Sequence, residues 1–171
     1  MYAPTGATWI APLSTNTLIE TALPLMIALV QRVTDASVET NGEPIGQIGR
    51  GLLVLLGVRD GDTEDAAVEL ARRTAHLRIF PDADGRMDRS LLDVEGDALV
   101  VPQFTLCADT DRGHRPSFAD AAAPSVAEPL YETFAERLEA QLGCPVPTGV
   151  FGAEMQVRLT NDGPVTLWLE A

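Results

Sequence analysis

The first third of the chain alternates apolar runs with short turn-forming segments, which is typical of β-strands joined by hairpins. The run from Met26 to Val38 predicts a long strand, and Asn41-Gly42 supplies the two residues that a tight hairpin turn needs at positive φ. A return strand is expected from Pro44 to about Ile48. A further, buried strand is expected over 52–58, where the sequence is LLVLLGV.

Two later segments have the spacing of amphipathic helices. Asp62 or Thr63 can cap the first helix, and Ser125 with Glu128 forms the capping-box pattern for the second. Gly143 is expected to end the second helix. The apolar stripes of the two helices are Ala67, Leu70, Ala71, Thr74 and Leu77, and then Leu130, Tyr131, Phe134, Leu138 and Leu142.

The C-terminal segment alternates apolar and polar residues twice. The pattern runs from Met155 to Thr160 and again from Val165 to Leu169, and Asn161-Asp162-Gly163-Pro164 lies between the two runs. It predicts two strands joined by a tight proline turn. Strands and two helices in this order indicate an α+β domain.

The segment 99–118 changes from buried apolar to polar and then to turn-forming residues. Leu99 to Val101 predicts a buried strand, and Pro102 marks an edge or a bulge because proline cannot donate to the ladder. In an extended chain, Gln103 and Thr105 lie on the same face, since they are two residues apart. An amide and a hydroxyl then converge, although a strand followed by a solvated loop explains the same spacing.

The loop that follows carries Arg112 and Arg115, together with a glycine and a proline that shape it. Two guanidinium groups on one loop suit an anionic ligand such as a phosphate. The alternative is that they pair with Asp109 and Asp111.

Charge and composition narrow the function classes. The 171 residues include 12 basic and 25 acidic side chains, a net charge of −13 that argues against broad, nonspecific nucleic-acid binding. Residues 1–25 carry Glu20 as their one charged side chain and predict a poorly ordered N-terminal extension, with Met26 as a candidate natural start. Residues 26–171 are expected to form a single domain.

The side chains available for chemistry are few. His76 and His114 have no partner at metal-ligand spacing, so neither a metal nor a cofactor is indicated. Cys107 with His114 is formally a thiol and its base, but a small core residue is the more ordinary role for such a cysteine. Two cysteines without paired spacing or an export signal fit the cytoplasm.

Six short motifs, taken in order, resemble the D-aminoacyl-tRNA deacylase family. They are MIALVQRV at Met26, GLLVLLGV at Gly51, QFTL at Gln103, RPSF at Arg115, TGVFGAEM at Thr148 and NDGPVT at Asn161. The resemblance covers the chain from Met26 to its C-terminus. One departure is Pro102, where the family usually has a serine, so a hydroxyl and a backbone donor are lost.

The resemblance implies a homodimer with a curved antiparallel-rich sheet or barrel and packed helices. It also implies hydrolysis of the ester between a D-amino acid and the terminal adenosine of tRNA, and of mischarged glycyl-tRNA. By family analogy Gln103, Phe104 and Thr105 line the pocket. The Phe104 backbone N–H is the expected oxyanion donor, and the Thr105 hydroxyl is expected to orient the ester.

The resemblance further implies that the Gly163-Pro164 bond is cis and that this turn reaches into the partner subunit's pocket. There its two backbone carbonyls face the substrate and leave no room for a side chain of L configuration.

Two other functions remain open on the sequence alone. The first is a dimer that would use the same pocket to bind tRNA ends or a small amine without turnover. A thiol hydrolase uses Cys107 instead.

Overall fold

The computed structural model describes residues 25–111 and 113–171, and it confirms an α+β fold with a curled sheet and two helices. Residues 1–24, which hold nearly all of the expected N-terminal extension, lie outside the described part of the chain. The strands are β1 Ile27–Thr40, β2 Glu43–Ile48, β3 Gly51–Gly57, β4 Phe80–Pro81, β5 Met87–Arg89, β6 Asp97–Pro102 and β7 Gln156–Glu170, and the helices are α1 Glu64–His76 and α2 Pro124–Leu142.

The main sheet is built around the long strand β1. Strand β1 pairs antiparallel with β7 along one edge, and with β3 and then β2 along the other. Strand β6 pairs parallel with β3 and forms the far edge of the sheet. The β1–β2 hairpin turns at Asn41 (φ 51°) and Gly42 (φ 80°), as their sequence predicts.

Both helices pack on each other and on one face of the sheet. The expected stripe of α1 is buried through Ala67, Leu70 and Thr74, and the Thr63 hydroxyl caps the helix by accepting the Ala66 N–H at 3.3 Å. Strand residues such as Val30 complete this core. A single apolar layer therefore holds the helices against the sheet.

The capping box expected at the start of α2 is wrong. The helix begins at Pro124, its N-cap is Ala123, and no side chain accepts a hydrogen bond there. Proline suits the first helical turn because its missing N–H would have no acceptor in the helix. The C-terminus is as expected, with Gly143 in the left-handed region (φ 68°).

The two C-terminal strands expected from the sequence are one strand, β7. Gln31 pairs with Thr166, and the next aligned pair is Val33 with Asn161, so four residues of β7 face one residue of β1. The segment 162–165 therefore projects from a continuous strand as a bulge, and not as a hairpin turn. We call it the β7 bulge.

A second apolar cluster fills the curl of the sheet on the side away from the helices. It is formed by buried residues of β1, β2, β3 and β6, and Met155, just before β7, and Val157 of β7 pack against it. The curl brings the end of β6 close to the chain that enters β7. No helix in the described part of the chain is long and apolar enough to cross a membrane.

Candidate active site

A cavity of about 700 Å³ opens where β6 ends. Gln103, Phe104 and Phe118 line one side, and the segment 151–155, which leads into β7, lines another. We call this segment the pocket wall. The lining is mostly apolar with few polar groups, which is typical of small-molecule sites in proteins.

Gln103, Phe104 and Thr105 do not continue β6 as an extended strand, so the expected alternation of faces is wrong. A 3-10 helix over Phe104–Cys107 begins at once, with Gln103 as its N-cap residue. The Gln103 N–H still donates to the Leu56 carbonyl at 2.7 Å and so anchors the start of the turn to β3. The amide and the hydroxyl nevertheless meet, because Gln103 Nε2 donates to Thr105 Oγ1.

Phe104 lines the cavity and has an N–H group that is not used within the 3-10 helix. Its side chain is 58% exposed, and its ring contacts that of Phe118 edge-on with centroids 5.0 Å apart. At the start of a 3-10 helix the first N–H groups have no acceptor within the helix. The Phe104 N–H has no backbone acceptor in the described part of the chain, and is therefore available to a ligand oxygen.

Arg32 holds the β7 bulge from the neighbouring strand. Its side chain is almost fully buried, and its Nε donates to the Asp162 carbonyl at 2.9 Å and lies 3.2 Å from the Asp162 carboxylate. Another guanidinium nitrogen donates to the Ile79 carbonyl. Sequence reasoning missed this residue, although an arginine inside the apolar segment MIALVQRV was a detectable signal.

Asn161 closes the base of the bulge. Its side-chain oxygen accepts the Val165 N–H at 2.8 Å, and its side-chain nitrogen donates to the Val165 carbonyl at 3.0 Å. The Gly163-Pro164 bond within the bulge is cis, as the resemblance implied, and both residues are exposed. A Cβ on Gly163 would lie 2.3 Å from the Val165 nitrogen, so no larger residue fits without a shift of the backbone.

Of the two arginines predicted to bind an anion, the structure describes Arg115. Arg115 lies exposed on the loop after the 3-10 helix, and no ion pair joins it to another described residue. Arg112 lies outside the described residues. The same loop is closed by paired backbone hydrogen bonds between Asp109 and Ser117, at 2.8 and 2.9 Å.

Cys107 is poorly placed for nucleophilic chemistry. The thiol is buried and lies 3.5 Å from the Val58 carbonyl. Burial raises the pKa of the Cys107 thiol, which disfavours the thiolate that a nucleophile needs. Among the described residues, no group of three or more histidine, cysteine, aspartate or glutamate side chains is arranged to hold a metal ion.

The arrangement defines the chain as an α+β protein with a mostly apolar pocket at the end of an edge strand. The donors beside this pocket are a backbone N–H and a neutral side-chain amide. Such a pocket suits a reaction that needs a positioned carbonyl and a stabilised oxyanion more than one that needs an acid and a base.

Comparisons with known proteins define the family. The sequence model for D-Tyr-tRNA(Tyr) deacylase matches residues 29–170. A D-aminoacyl-tRNA deacylase from Salinibacter ruber is 62% identical over 145 residues, which is 85% of this chain and 97% of that protein. One from Thermomicrobium roseum is 59% identical over 146 residues, 85% of this chain and 94% of that protein. The chain belongs to the D-Tyr-tRNA(Tyr) deacylase family.

Solved structures agree on the fold. One described as "c-Myc DNA Unwinding Element Binding Protein" is 41% identical and superposes with a TM-score of 0.79, covering 85% of this chain and 98% of that one. A probable eukaryotic D-amino acid tRNA deacylase, 20% identical, has a TM-score of 0.77 over 86% of this chain and all of that one, and supports the fold alone.

Proposed function

We propose that this protein hydrolyses the ester bond between a D-amino acid and the 3′-terminal adenosine of tRNA in the cytoplasm, and that it rejects L-aminoacyl-tRNA. Relatives named D-aminoacyl-tRNA deacylases, of which this chain covers 92% or more, support the reaction. The observation that carries the proposal is the turn at Gln103–Thr105. Gln103 and Phe104 line the cavity, the Phe104 N–H has no backbone acceptor among the described residues, and the exposed Thr105, which is not part of the lining, accepts from the Gln103 amide.

The chemistry needs little from the protein because an amino-acid ester is already activated. The Phe104 N–H stabilises the oxyanion as water attacks the ester carbonyl, and the Thr105 hydroxyl orients the ester. Gln103 donates to that hydroxyl and so fixes its direction. The vicinal ribose hydroxyl of the RNA itself assists the reaction.

Selection against L-amino acids rests on the β7 bulge. We infer that Gly163 and Pro164 reach into the pocket of a partner subunit, with their carbonyls directed at the substrate's α-ammonium. Rigid backbone in that position excludes an L side chain without recognising the D side chain. Mischarged glycyl-tRNA, which has no side chain to exclude, is therefore cleaved as well.

A homodimer is supported by a partly exposed apolar row beside the bulge. Trp168, Leu29 and Leu55 are aligned across β7, β1 and β3, on the face opposite to the helices. Trp168, at the β7 end of this row, is 47% exposed. A second copy of the chain covers the row and receives the bulge, because Trp168 lies on the same strand as the bulge and close to it in sequence.

Arg112 and Arg115 are the proposed contacts to the RNA backbone. The solvent-exposed position of Arg115, without an ion pair among the described residues, supports this role. Nonspecific binding to duplex DNA or RNA is disfavoured by the net charge of −13.

The deciding experiment compares D-aminoacyl-, L-aminoacyl- and glycyl-tRNA under multiple turnover. We expect release of the D-amino acid and of glycine, with the L-ester spared. Thr105→Val should lower kcat for the D-ester at least about 10-fold. Gly163→Ala should strongly lower the rate of D-ester hydrolysis, and the accompanying loss of Tm should be small.

Two outcomes favour the other functions. Tight binding of tRNA ends without turnover indicates a binding protein. Loss of activity in Cys107→Ala, with activity retained in Thr105→Val, indicates a thiol hydrolase.

A further inference from the structure

Tyr131 is a buried phenol on α2 that lies between β6 and the pocket wall. Its hydroxyl is 3.0 Å from the Val100 carbonyl and 3.2 Å from the Gly149 carbonyl. The side chain is 4% exposed, and the residue also lines the cavity. One hydroxyl therefore contacts both the strand that carries Gln103–Thr105 and the segment that leads into the wall.

The two carbonyls depend on Tyr131 to different degrees. The Val100 carbonyl also accepts the Gly149 N–H at 2.8 Å, so it keeps a donor without the phenol. The single phenol proton is shared between the two carbonyls, and for the buried Gly149 carbonyl Tyr131 is the donor found in the described part of the chain. Loss of the phenol hydroxyl therefore leaves the Gly149 carbonyl buried without a donor, which favours movement of that segment toward water.

The pocket wall is fixed at its two ends. At one end the Tyr131 ring lies against that of Phe151, with centroids 6.1 Å apart. At the other end the Thr40 hydroxyl donates to the Glu154 carbonyl at 2.9 Å. Gly152, at φ +72°, turns the chain between these points. A shift at Gly149 therefore reaches the wall along the chain through Phe151, whereas the start of the 3-10 helix is tied separately to β3 by the Gln103 N–H.

Burial raises the pKa of the Tyr131 hydroxyl far above its ordinary value. The phenol consequently remains a proton donor throughout the pH range in which tRNA esters are handled.

We propose that Tyr131 is a positioning residue that sets the distance between the pocket wall and Gln103–Thr105, and thereby sets KM more than kcat. This inference rests on the proposed function. Substrate binding depends on the wall, and without the hydroxyl the residue that leads into the wall, Gly149, loses its hydrogen bond to Tyr131. The chemical step depends on the turn after β6, where the Gln103 N–H keeps its hydrogen bond to the Leu56 carbonyl of β3.

Tyr131→Phe tests the inference because it removes the hydroxyl and keeps the ring. With D-aminoacyl-tRNA, KM should rise by roughly fivefold or more while kcat stays within about twofold of the wild type. Amide hydrogen exchange should become faster over 149–155 and stay unchanged over 104–107.

Thr74→Val is the matched control. Thr74 is fully buried on α1, and its hydroxyl donates to the Leu70 carbonyl at 2.8 Å, away from the cavity. This variant also loses one buried hydroxyl, so it should lower Tm while leaving KM unchanged.

Three results would overturn the inference: an unchanged KM in Tyr131→Phe, an equal rise of KM in Thr74→Val, or unchanged exchange over 149–155. Failure of the proposed function is a separate result, since a wild type without deacylase activity still gives an exchange measurement that decides whether Tyr131 holds the wall.

Discussion

Asp62 is a buried carboxylate with only one of its oxygens satisfied. The residue is 8% exposed, its Oδ2 accepts the Arg59 N–H at 2.6 Å, and its Oδ1 has no hydrogen-bond partner in the described part of the chain. Burial raises the pKa of Asp62, and the hydrogen bond and charge of Arg59 oppose this only in part. Burial of the charge therefore destabilises the native state at neutral pH.

The sign of the pH dependence follows from the raised pKa. In the window between the unfolded and folded pKa values, the folded chain binds more protons than the unfolded chain, so Asp62 favours folding increasingly as the pH falls through that window. Asp62→Asn removes this dependence and keeps an oxygen for the Arg59 N–H. We expect the Tm of the wild type, relative to that of Asp62→Asn, to rise as the pH falls from neutral toward the ordinary pKa of an aspartate.

Thermal melts of both proteins at several pH values test this prediction. Asp60→Asn is the control, since Asp60 is exposed and only two residues away. A constant Tm difference between wild type and Asp62→Asn across the pH range contradicts the prediction.

At the scale of elements, the β7 bulge is held mainly by Arg32. The arginine links two elements distant in sequence, because it donates both to Asp162 and to the Ile79 carbonyl before β4. Arg32→Gln cannot span both sites and leaves the Ile79 carbonyl without that donor. We expect a loss of about 2 kcal/mol in the free energy of unfolding, together with a lower rate of D-ester hydrolysis.

Denaturant unfolding and the deacylation assay measure both effects. Arg158→Gln is the matched control, since Arg158 forms an exposed ion pair with Glu39 at 2.7 Å on the same pair of strands. Exposed pairs contribute little, so this variant should lose less than about 1 kcal/mol. Equal losses in the two variants would show that Arg32 has no special role in holding the bulge.

At the scale of the whole molecule, a protein of net charge −13 must bind tRNA through a few local cations. Arg112→Ala with Arg115→Ala should weaken tRNA binding. It should also lower the slope of log K against log salt by up to about 0.9 for each arginine that contacts a phosphate. Filter binding at a series of salt concentrations measures this slope.

The control for charge alone is Arg86→Ala with Arg137→Ala. Both of these side chains are more than half exposed, and the double variant makes the same change in net charge. If the two double variants behave alike, or if the Arg112 and Arg115 change leaves the slope untouched, the loop is not an RNA contact.

The N-terminal extension, residues 1–25, is expected to be dispensable for the folding of the whole molecule. A chain that begins at Met26 should fold with a Tm within about 2 °C of the full chain and retain its deacylase activity. The matched relatives support this expectation, because alignments of 145 or 146 residues cover 94–97% of the Salinibacter and Thermomicrobium proteins. A large loss of Tm on truncation would assign the extension a structural role.

The sequence by itself determined the elements whose signals are local. The β1–β2 hairpin follows from Asn41-Gly42, the start of α1 from Thr63, and the end of α2 from Gly143, because backbone conformation and capping depend on a few neighbouring residues. The motifs at Gln103 and Asn161 also sufficed to indicate the family and the residues to examine.

Only the tertiary structure decided how those residues are held. The two alternating runs on either side of Asn161–Pro164 have the sequence pattern of a hairpin, but both runs pair with β1, so the segment between them is a bulge. Gln103 and Thr105 meet through a 3-10 helix and not through a strand, because β6 ends beside Leu56. Arg32 and Tyr131 act on carbonyls in segments distant from them in sequence. No local pattern specifies such contacts, because they form only when the curled sheet brings its strands and α2 together.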